Sequence, residues 1–136
     1  MNPVHHHATS YNEEKVGRAA FQAFLSISEK WKLTAEQQRV LLGDIPKSTY
    51  HLWKSQVLKA QNIKLAKDTL ERISYILGIY KSLNILLSNP QAVNDWIHKP
   101  NDATLFGGKA ALDKMLAGNV IDLADVRRFL DAERGD

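Results

Sequence analysis

The sequence contains no cysteine among its 136 residues. This absence excludes a disulfide-stabilised scaffold, cysteine-ligated zinc, an iron–sulfur cluster and thiol catalysis. No apolar run approaches the roughly 20 residues that a membrane-spanning helix needs. The N-terminal residues MNPVHHHATSYNEE lack the apolar core of a secretory signal. We therefore expect a soluble cytoplasmic protein that does not act at a membrane.

Motifs of the common enzyme classes are also missing. The chain has no P-loop, no dinucleotide-binding glycine pattern, no HExxH and no GxSxG. An enzymatic function would rest on Asp95 and His98 alone, and such a pair at a helix end is more often a surface contact than a catalytic dyad. The run His5–His7 could bind a metal weakly or be an expression remnant, but it has no fixed geometry. We expect no catalytic residue, cofactor or metal site.

The composition favours an all-α fold. Leucine and alanine outnumber valine, isoleucine and threonine, and no stretch sustains the period-two alternation of a strand. Apolar residues at helical spacing predict a first helix over about residues 12–30, after a flexible tail at 1–11. A capping-box pattern beginning at Asp68 opens the longest apolar stripe, which Asn89 closes. This stripe covers much of the helix circumference, so we expect a central helix packed on both sides.

Two short predicted helices meet at Gly43 with the proportions of a helix-turn-helix, whose second helix enters the DNA major groove. Thr34 and Gln37 form a capping box at the start of the first helix, and Pro46 suits the first position of the second. One face of the second helix should pack inward, and it consists of Thr49, Trp53 and Val57. The residues predicted to contact DNA are Lys47, Ser48, Thr49, His51 and Lys54. Lysines would bind phosphates, and Ser48 or His51 could read base edges.

Charge is distributed unevenly along the chain. Residues 45–67 contain five lysines and no acid, whereas residues 113–136 contain four basic residues and six acids. This distribution suggests two surfaces with different partners, and DNA contact is the favoured function of the basic one. Ordinary variation among solvated helix faces is the alternative explanation. Further along the chain, Gly107 and Gly108 predict a sharp turn, and Asp122 is predicted to cap the last helix.

The residues of the C-terminal half identify a family. LFGGKAALDKMLAGNVIDLADVRRFLDAERG, from Leu105 to Gly135, closely resembles the toxin-binding domain of the Xre/MbcA/ParS antitoxins. DTLERISYILGIYKSLNILL (Asp68–Leu87) is similar to the same family, and LLGDIPKSTYHLWK (Leu41–Lys54) is similar to its Xre-like helix-turn-helix. The resemblance covers about residues 15–135. Its FGGK and ALDKMLAGN sequences fit best the subgroup that is partnered with RES-domain toxins.

The resemblance implies an Xre-like helix-turn-helix bundle over residues 12–76, joined by a long central helix to a small helical toxin-binding domain over 77–136. It also implies a non-enzymatic type II antitoxin whose partner toxin carries a RES domain that attacks NAD. Such an antitoxin dimerises, binds the toxin as a hetero-oligomer and obstructs its active-site entrance with C-terminal residues. Many family members also bind their own operator DNA. A stand-alone helix-turn-helix transcriptional regulator is the alternative function.

Carried onto this sequence, the resemblance implies that the toxin-binding residues are Leu105, Phe106, Gly107, Gly108 and Lys109, with Arg127, Arg128 and Arg134 at the C-terminal end. An apolar Leu105-Phe106 anchor on a glycine turn can fill a partner's pocket. Arginines can pair with a partner's carboxylates or occupy anionic subsites. Local pairing with acids of the same helix is the alternative, and we expect it for one of Arg127 and Arg128.

Overall fold

Helices make up the regular structure throughout the part of the chain that is described. The computed structural model describes residues 3–135, with side chains described from residue 12 onward. Its helices are α1 (Pro3–Lys30), α2 (Ala35–Leu41), α3 (Lys47–Leu58), α4 (Lys67–Leu86), α5 (Pro90–Asp95), a 3-10 turn (Trp96–His98), α6 (Ala111–Met115) and α7 (Val120–Glu133). Extended pairing within residues 3–135 is limited to one antiparallel bridge between Pro100 and Ala110. The prediction of an all-α fold is confirmed.

Helix α1 is longer than predicted. It begins at Pro3 rather than near residue 12, so most of the segment predicted to be a flexible tail lies within a helix. The reason is that Pro3 suits a first helical turn and that no proline or glycine follows it before Gly17. Residues 1 and 2, and the side chains of His5–His7, lie outside the described residues. None of the described helices is both long and apolar enough to cross a membrane.

Local capping signals placed the helix-turn-helix segment correctly. Thr34 Oγ1 accepts a hydrogen bond from the Gln37 amide at 3.0 Å, and Gln37 Oε1 accepts one from the Thr34 amide at 2.9 Å. Helix α2 ends in a turn in which Gly43 has a φ of +107°, a conformation that side chains with a Cβ rarely adopt. Pro46 is the N-cap of α3, one position before the predicted place.

Neither predicted cap is the N-cap of its helix, and each carboxylate pairs with a cation, although Asp122 also hydrogen-bonds Asn119, the N-cap of α7. Asp68 binds Arg72, with Oδ2 and Nε 2.9 Å apart, and makes no cap for α4. Helix α7 begins at Val120, before Asp122, whose carboxylate lies 3.0 Å from Lys114 Nζ of α6. A capping pattern shows only that a side chain can reach the backbone, and a cation on a neighbouring turn or element competes for the same oxygen atoms.

Helix α4 forms the centre of the molecule, as predicted. It packs against α1 and against α7, and its fully buried residues include Ile73, Ile76, Ile79 and Leu83. The predicted domain boundary between residues 76 and 77 falls inside this helix, and the buried apolar residues on both sides of the boundary form one continuous core. The N-terminal and C-terminal parts are therefore joined through a shared core.

The first turns of α4 tie two distant turns of the chain together. Thr69 Oγ1 donates a hydrogen bond to the Leu42 carbonyl oxygen at 3.3 Å, at the end of α2. The nearly buried Arg72 donates from Nη1 to the Gly118 carbonyl oxygen at 3.0 Å, just before α7. These bonds satisfy backbone carbonyls at the ends of short helices, where intrahelical partners are lacking. They also fix the helix-turn-helix relative to the C-terminal part.

We predict that Gly17→Ala lowers the free energy of unfolding by about 1–3 kcal/mol. A Cβ at Gly17 would lie 2.1 Å from the Ile63 carbonyl oxygen, and backbone cannot move aside as a side chain can. The gain in helix propensity, about 1 kcal/mol, is too small to offset this clash. Urea denaturation followed by circular dichroism measures the change.

Gly78→Ala in α4 is the matched control for this prediction. The three atoms nearest to a Cβ at Gly78 all belong to the Arg127 side chain, the closest at 2.6 Å. Because the end of a partly exposed arginine can shift, helix propensity should dominate, and stability should stay unchanged or rise. Equal destabilisation by both substitutions would contradict the role assigned to the Ile63 backbone.

Candidate functional site

Helix α3 is held in place by aromatic contacts on its inner side. The Tyr50 ring, 1% exposed, meets the Phe21 ring of α1 edge-on, with centroids 6.3 Å apart. The Tyr50 hydroxyl donates a hydrogen bond to Gln38 Oε1 of α2 at 2.6 Å. Burial raises the pKa of Tyr50, so the phenol remains a neutral donor at physiological pH. Tyr50 thus links α3 to both α1 and α2.

The predicted inner face of α3 is partly correct. Val57 is buried, Trp53 is half-buried with its ring 5.8 Å from that of Phe21, and Thr49 is also half-buried. Tyr50 was missed, although it stands three positions before Trp53 and seven before Val57, which is a helical apolar stripe. The predicted inner face used only a spacing of four residues and therefore included Thr49 instead of Tyr50.

The outer side of α3 exposes four of the five residues predicted to contact DNA. These are Lys47, Ser48, His51 and Lys54, whereas Thr49 is half-buried. Lys54 Nζ lies 6.0 Å from the centroid of the Tyr50 ring, and the His51 ring contacts the same tyrosine. All five lysines between residues 45 and 67 are exposed, and of these Lys64 pairs with Glu13 at 3.3 Å. This basic surface can bind phosphate groups.

A second candidate surface is the turn Leu105–Lys109 between the 3-10 turn and α6. Asn101 closes this loop, because its amide donates to the Lys109 carbonyl and its own carbonyl accepts from the Gly108 amide, both at 3.0 Å. Asn101 Oδ1 also accepts from the Ala103 amide at 2.9 Å. Gly107 and Gly108 have φ values of +59° and +85°, which confirms the predicted sharp turn. Leu105 and the three residues Gly107–Lys109 are exposed.

Phe106 does not point to solvent, although the predicted Leu105-Phe106 anchor requires both side chains to be exposed. It is only 5% exposed, and its ring packs edge-on against Phe129 of α7 and Trp96, with centroid separations of 5.2 and 5.9 Å. The expectation of a two-residue anchor is therefore wrong for Phe106. Of the two residues, only Leu105 is exposed, at 38%. The Trp96 and Phe129 rings stack with centroids 6.4 Å apart, and packing Phe106 edge-on against both is more favourable than leaving its ring in water.

Trp96 and Phe129 also line an open groove beside the turn. This groove, which we call the aromatic groove, has a volume of about 370 Å³ and lies between the end of α4, the 3-10 turn and the end of α7. Its apolar lining consists of Leu83, Leu86, Leu87, Trp96, Phe129 and Leu130. Phe129 follows two arginines and was not predicted to be buried, although it lies three positions after Val126 on the inner stripe of α7.

Both Arg127 and Arg128 pair with acids of their own helix, although only one was expected to. Arg127 Nε lies 3.7 Å from Asp131 Oδ2, and Arg128 binds Asp125. Arg134 Nη1 reaches back to Asp131 at 3.6 Å. Spacings of three and four residues on one helix make such pairs geometrically easy. The Arg128 pair is the most exposed of the three, and exposed ion pairs contribute only about 0–1 kcal/mol, so a partner carboxylate can replace them.

A less exposed ion pair joins α6 to α7. Lys114 Nζ lies 3.0 Å from Asp122 Oδ1 and 3.5 Å from Asp125 Oδ2. The hydrogen bond between Lys114 and Asp122 raises the pKa of the lysine and lowers the pKa of the aspartate. This pairing keeps both groups charged around neutral pH and positions the start of α7.

Asp95 and His98, the two residues on which an enzymatic function would rest, do not pair with each other. Gln91 Nε2 donates to both oxygens of Asp95 at 3.0 Å, and His98 Nε2 lies 2.7 Å from the Trp31 carbonyl oxygen. Among the side chains that the structure describes, no group of three or more metal-ligating residues is arranged to hold an ion.

Comparison with known proteins matches both halves of the chain to antitoxin domains. Residues 16–78 match the antitoxin Xre-like helix-turn-helix domain, and residues 82–135 match the antitoxin Xre/MbcA/ParS C-terminal toxin-binding domain. The chain belongs to the Xre/MbcA/ParS antitoxins. The antitoxin is therefore a binding protein rather than an enzyme, with a toxin as the partner of its C-terminal domain. It is also 45% identical over 117 residues to the uncharacterized protein y4oB of Sinorhizobium fredii, covering 86% of this chain and 85% of that protein.

We predict that Phe106→Ala lowers the free energy of unfolding of the antitoxin by about 3–5 kcal/mol, the usual cost of removing a buried aromatic ring. Leu105→Ala should change it by less than about 1 kcal/mol, because the side chain is already exposed. Parallel urea denaturation of the two variants makes the comparison. A small and equal effect of both substitutions would contradict the inward orientation of Phe106.

Proposed function

We propose that the antitoxin neutralises a RES-domain toxin that degrades NAD, by covering the entrance to the toxin's active site. The observation that carries this proposal is the turn Leu105–Lys109, which exposes an apolar side chain and a cation on a loop closed by its own hydrogen bonds. Phe106 seats the loop on Trp96 and Phe129. A rigid loop loses little conformational entropy on binding, which favours a tight complex.

Each part of this surface has a chemical role in the proposed complex. Leu105 fills an apolar pocket of the toxin, and the two glycines that follow it let the toxin backbone approach closely. Lys109 and Arg128 form ion pairs with toxin carboxylates. Arg134 lies at the C-terminal end, where we propose that it occupies an anionic subsite meant for a phosphorylated substrate. Arg127 instead lines the groove between α1, α4 and α7. The aromatic groove accepts a further apolar segment of the toxin.

We also propose that the antitoxin acts as a homodimer that represses its own operon. Helix-turn-helix proteins read two half-sites related by two-fold symmetry, which requires two copies of α3. An apolar groove between α1, α4 and α7 adjoins the helix-turn-helix and is lined by Val16, Ala20, Leu70, Ile73 and Leu77. Val16 is 56% exposed there, and we propose that this groove packs against the second copy.

NAD consumption by the cognate RES-domain toxin, with and without the antitoxin, tests the first proposal. We expect a stable complex on size exclusion, with suppression of NAD loss. Leu105→Asp should raise the antitoxin concentration needed for half-suppression by about 30-fold, as expected for a residue at the centre of an interface. Multi-angle light scattering on the same samples gives the stoichiometry and tests the homodimer.

Leu58→Asp is the matched control, because Leu58 is an exposed leucine at the end of α3, outside the toxin-binding domain. It should neutralise the toxin as well as the unmodified antitoxin does. Full suppression of NAD loss by Leu105→Asp would contradict the role assigned to the turn. An active toxin that is neither bound nor suppressed by the unmodified antitoxin would favour the stand-alone transcriptional regulator.

Salt dependence of DNA binding tests the second proposal. We expect the antitoxin to bind a duplex from the region upstream of its own gene, with an affinity that falls steeply as salt rises. Lys47→Ala should weaken binding to all duplexes alike and reduce the slope of log Kd against log salt by about 1. The exposed Lys99, far from the helix-turn-helix in sequence, provides the control Lys99→Ala, with an unchanged slope. A DNA affinity that does not change with salt concentration would contradict the proposal.

A further inference from the structure

Leu52 is an exposed apolar side chain in the middle of an otherwise polar surface. It is 57% exposed on α3, and its neighbours along the helix surface, Ser48 four residues before it and Ser55 three residues after it, are also exposed. Lys47 and Lys54 are also exposed, about 140° and 160° around the helix from Leu52. Burying Leu52 would be favourable, and α3 itself offers no apolar neighbour that could cover it.

The exposure of Leu52 is imposed by the way α3 is anchored. Tyr50 and Trp53 pack against Phe21 of α1 with ring centroids 6.3 and 5.8 Å apart. Leu52 lies about 200° around the helix from Tyr50, as follows from 3.6 residues per turn. Rotating α3 to cover Leu52 would expose Tyr50, which is the larger apolar group. Leu52 therefore remains available to a partner of the outer face.

The charge of the segment that contains α3 favours DNA over protein as that partner. Residues 45–67 carry five exposed lysines and no acid, so two copies of this segment would repel each other. The exposed serines beside Leu52 prevent a contiguous apolar patch of the kind that marks a protein interface. A polyanion with a small apolar group matches this surface better.

We propose that Leu52 is a specificity-determining residue that selects thymine through the thymine 5-methyl group when α3 lies in the major groove. Thymine presents a methyl group there, which apolar side chains contact. Helix α3 contains no arginine or asparagine, and its one glutamine, Gln56, is half-buried, so it exposes no side chain that pairs with adenine through two hydrogen bonds and only lysines that can do so with guanine. The inference rests on the proposed DNA binding and adds the base that α3 recognises.

Replacing thymine with deoxyuridine tests the inference, because this change deletes only the methyl group. The probe is the duplex that the full-length antitoxin selects from a random-sequence pool, with each thymine replaced in turn. We expect at least one replacement in each half-site to raise Kd about fourfold, the effect of losing one buried methyl group. Replacements outside the contacted positions should leave Kd unchanged.

Leu52→Ala should bind the thymine and deoxyuridine duplexes equally, and about tenfold more weakly than the unmodified antitoxin binds the thymine duplex. Its slope of log Kd against log salt should not change, since Leu52 contacts no phosphate. Leu58→Ala is the control, because Leu58 lies on the same helix and is even more exposed, but it stands at the C-terminal end, away from the base-contacting part. It should keep the fourfold preference. Circular dichroism verifies that both variants fold.

The outcomes separate this inference from the function on which it rests. Tight, salt-dependent binding without any effect of deoxyuridine overturns the role of Leu52 and leaves DNA binding intact. A preference for thymine that survives in Leu52→Ala also overturns it, because another side chain must then read the methyl group. Failure to select any duplex removes the DNA-binding function, and the inference falls with it.

Discussion

Burial of α4 on two opposite sides is the constraint on which the rest of the structure depends. Four of its residues, Ile73, Ile76, Ile79 and Leu83, are almost inaccessible to water, because α1 covers one side of the helix and α7 the other. Each such side chain contributes about 1.5–3 kcal/mol by leaving water. Since this helix runs across both family domains, the two candidate surfaces rest on one shared hydrophobic core. Movement of either surface therefore requires disturbance of that core.

Both candidate surfaces are built in the same way, with aromatic rings beneath and lysines, small residues and an exposed leucine above. Phe21 and Tyr50 orient α3 so that lysines and serines face outward. Trp96, Phe106 and Phe129 seat the turn at Leu105–Lys109 in the C-terminal domain. Packing of these rings in the core holds both candidate surfaces in a fixed orientation. Rigid presentation reduces the entropy lost on binding and suits a protein that acts only by contact.

Much of the fold followed from local signals. The capping box at Thr34 and the turn at Gly43 depend on atoms within a few residues of one another, so the sequence predicted them correctly. Asp68 and Asp122 were wrongly predicted as caps, because the helix begins before each of them and each carboxylate reaches a cation. For Asp122 the cation, Lys114, lies on a different helix.

The sequence by itself determined the helical class, the family, the helix-turn-helix and the exposed lysines on α3, because composition, helical period and short motifs are local properties. Only the tertiary structure decided that Phe106 turns inward while Leu105 stays exposed, since two adjacent apolar residues in a loop are compatible with either one facing the core. It also decided that Tyr50 is buried beneath α3 and that Leu52 is not. Those choices depend on which rings from α1, α7 and the 3-10 turn reach the same space, and no stretch of neighbouring residues contains that information.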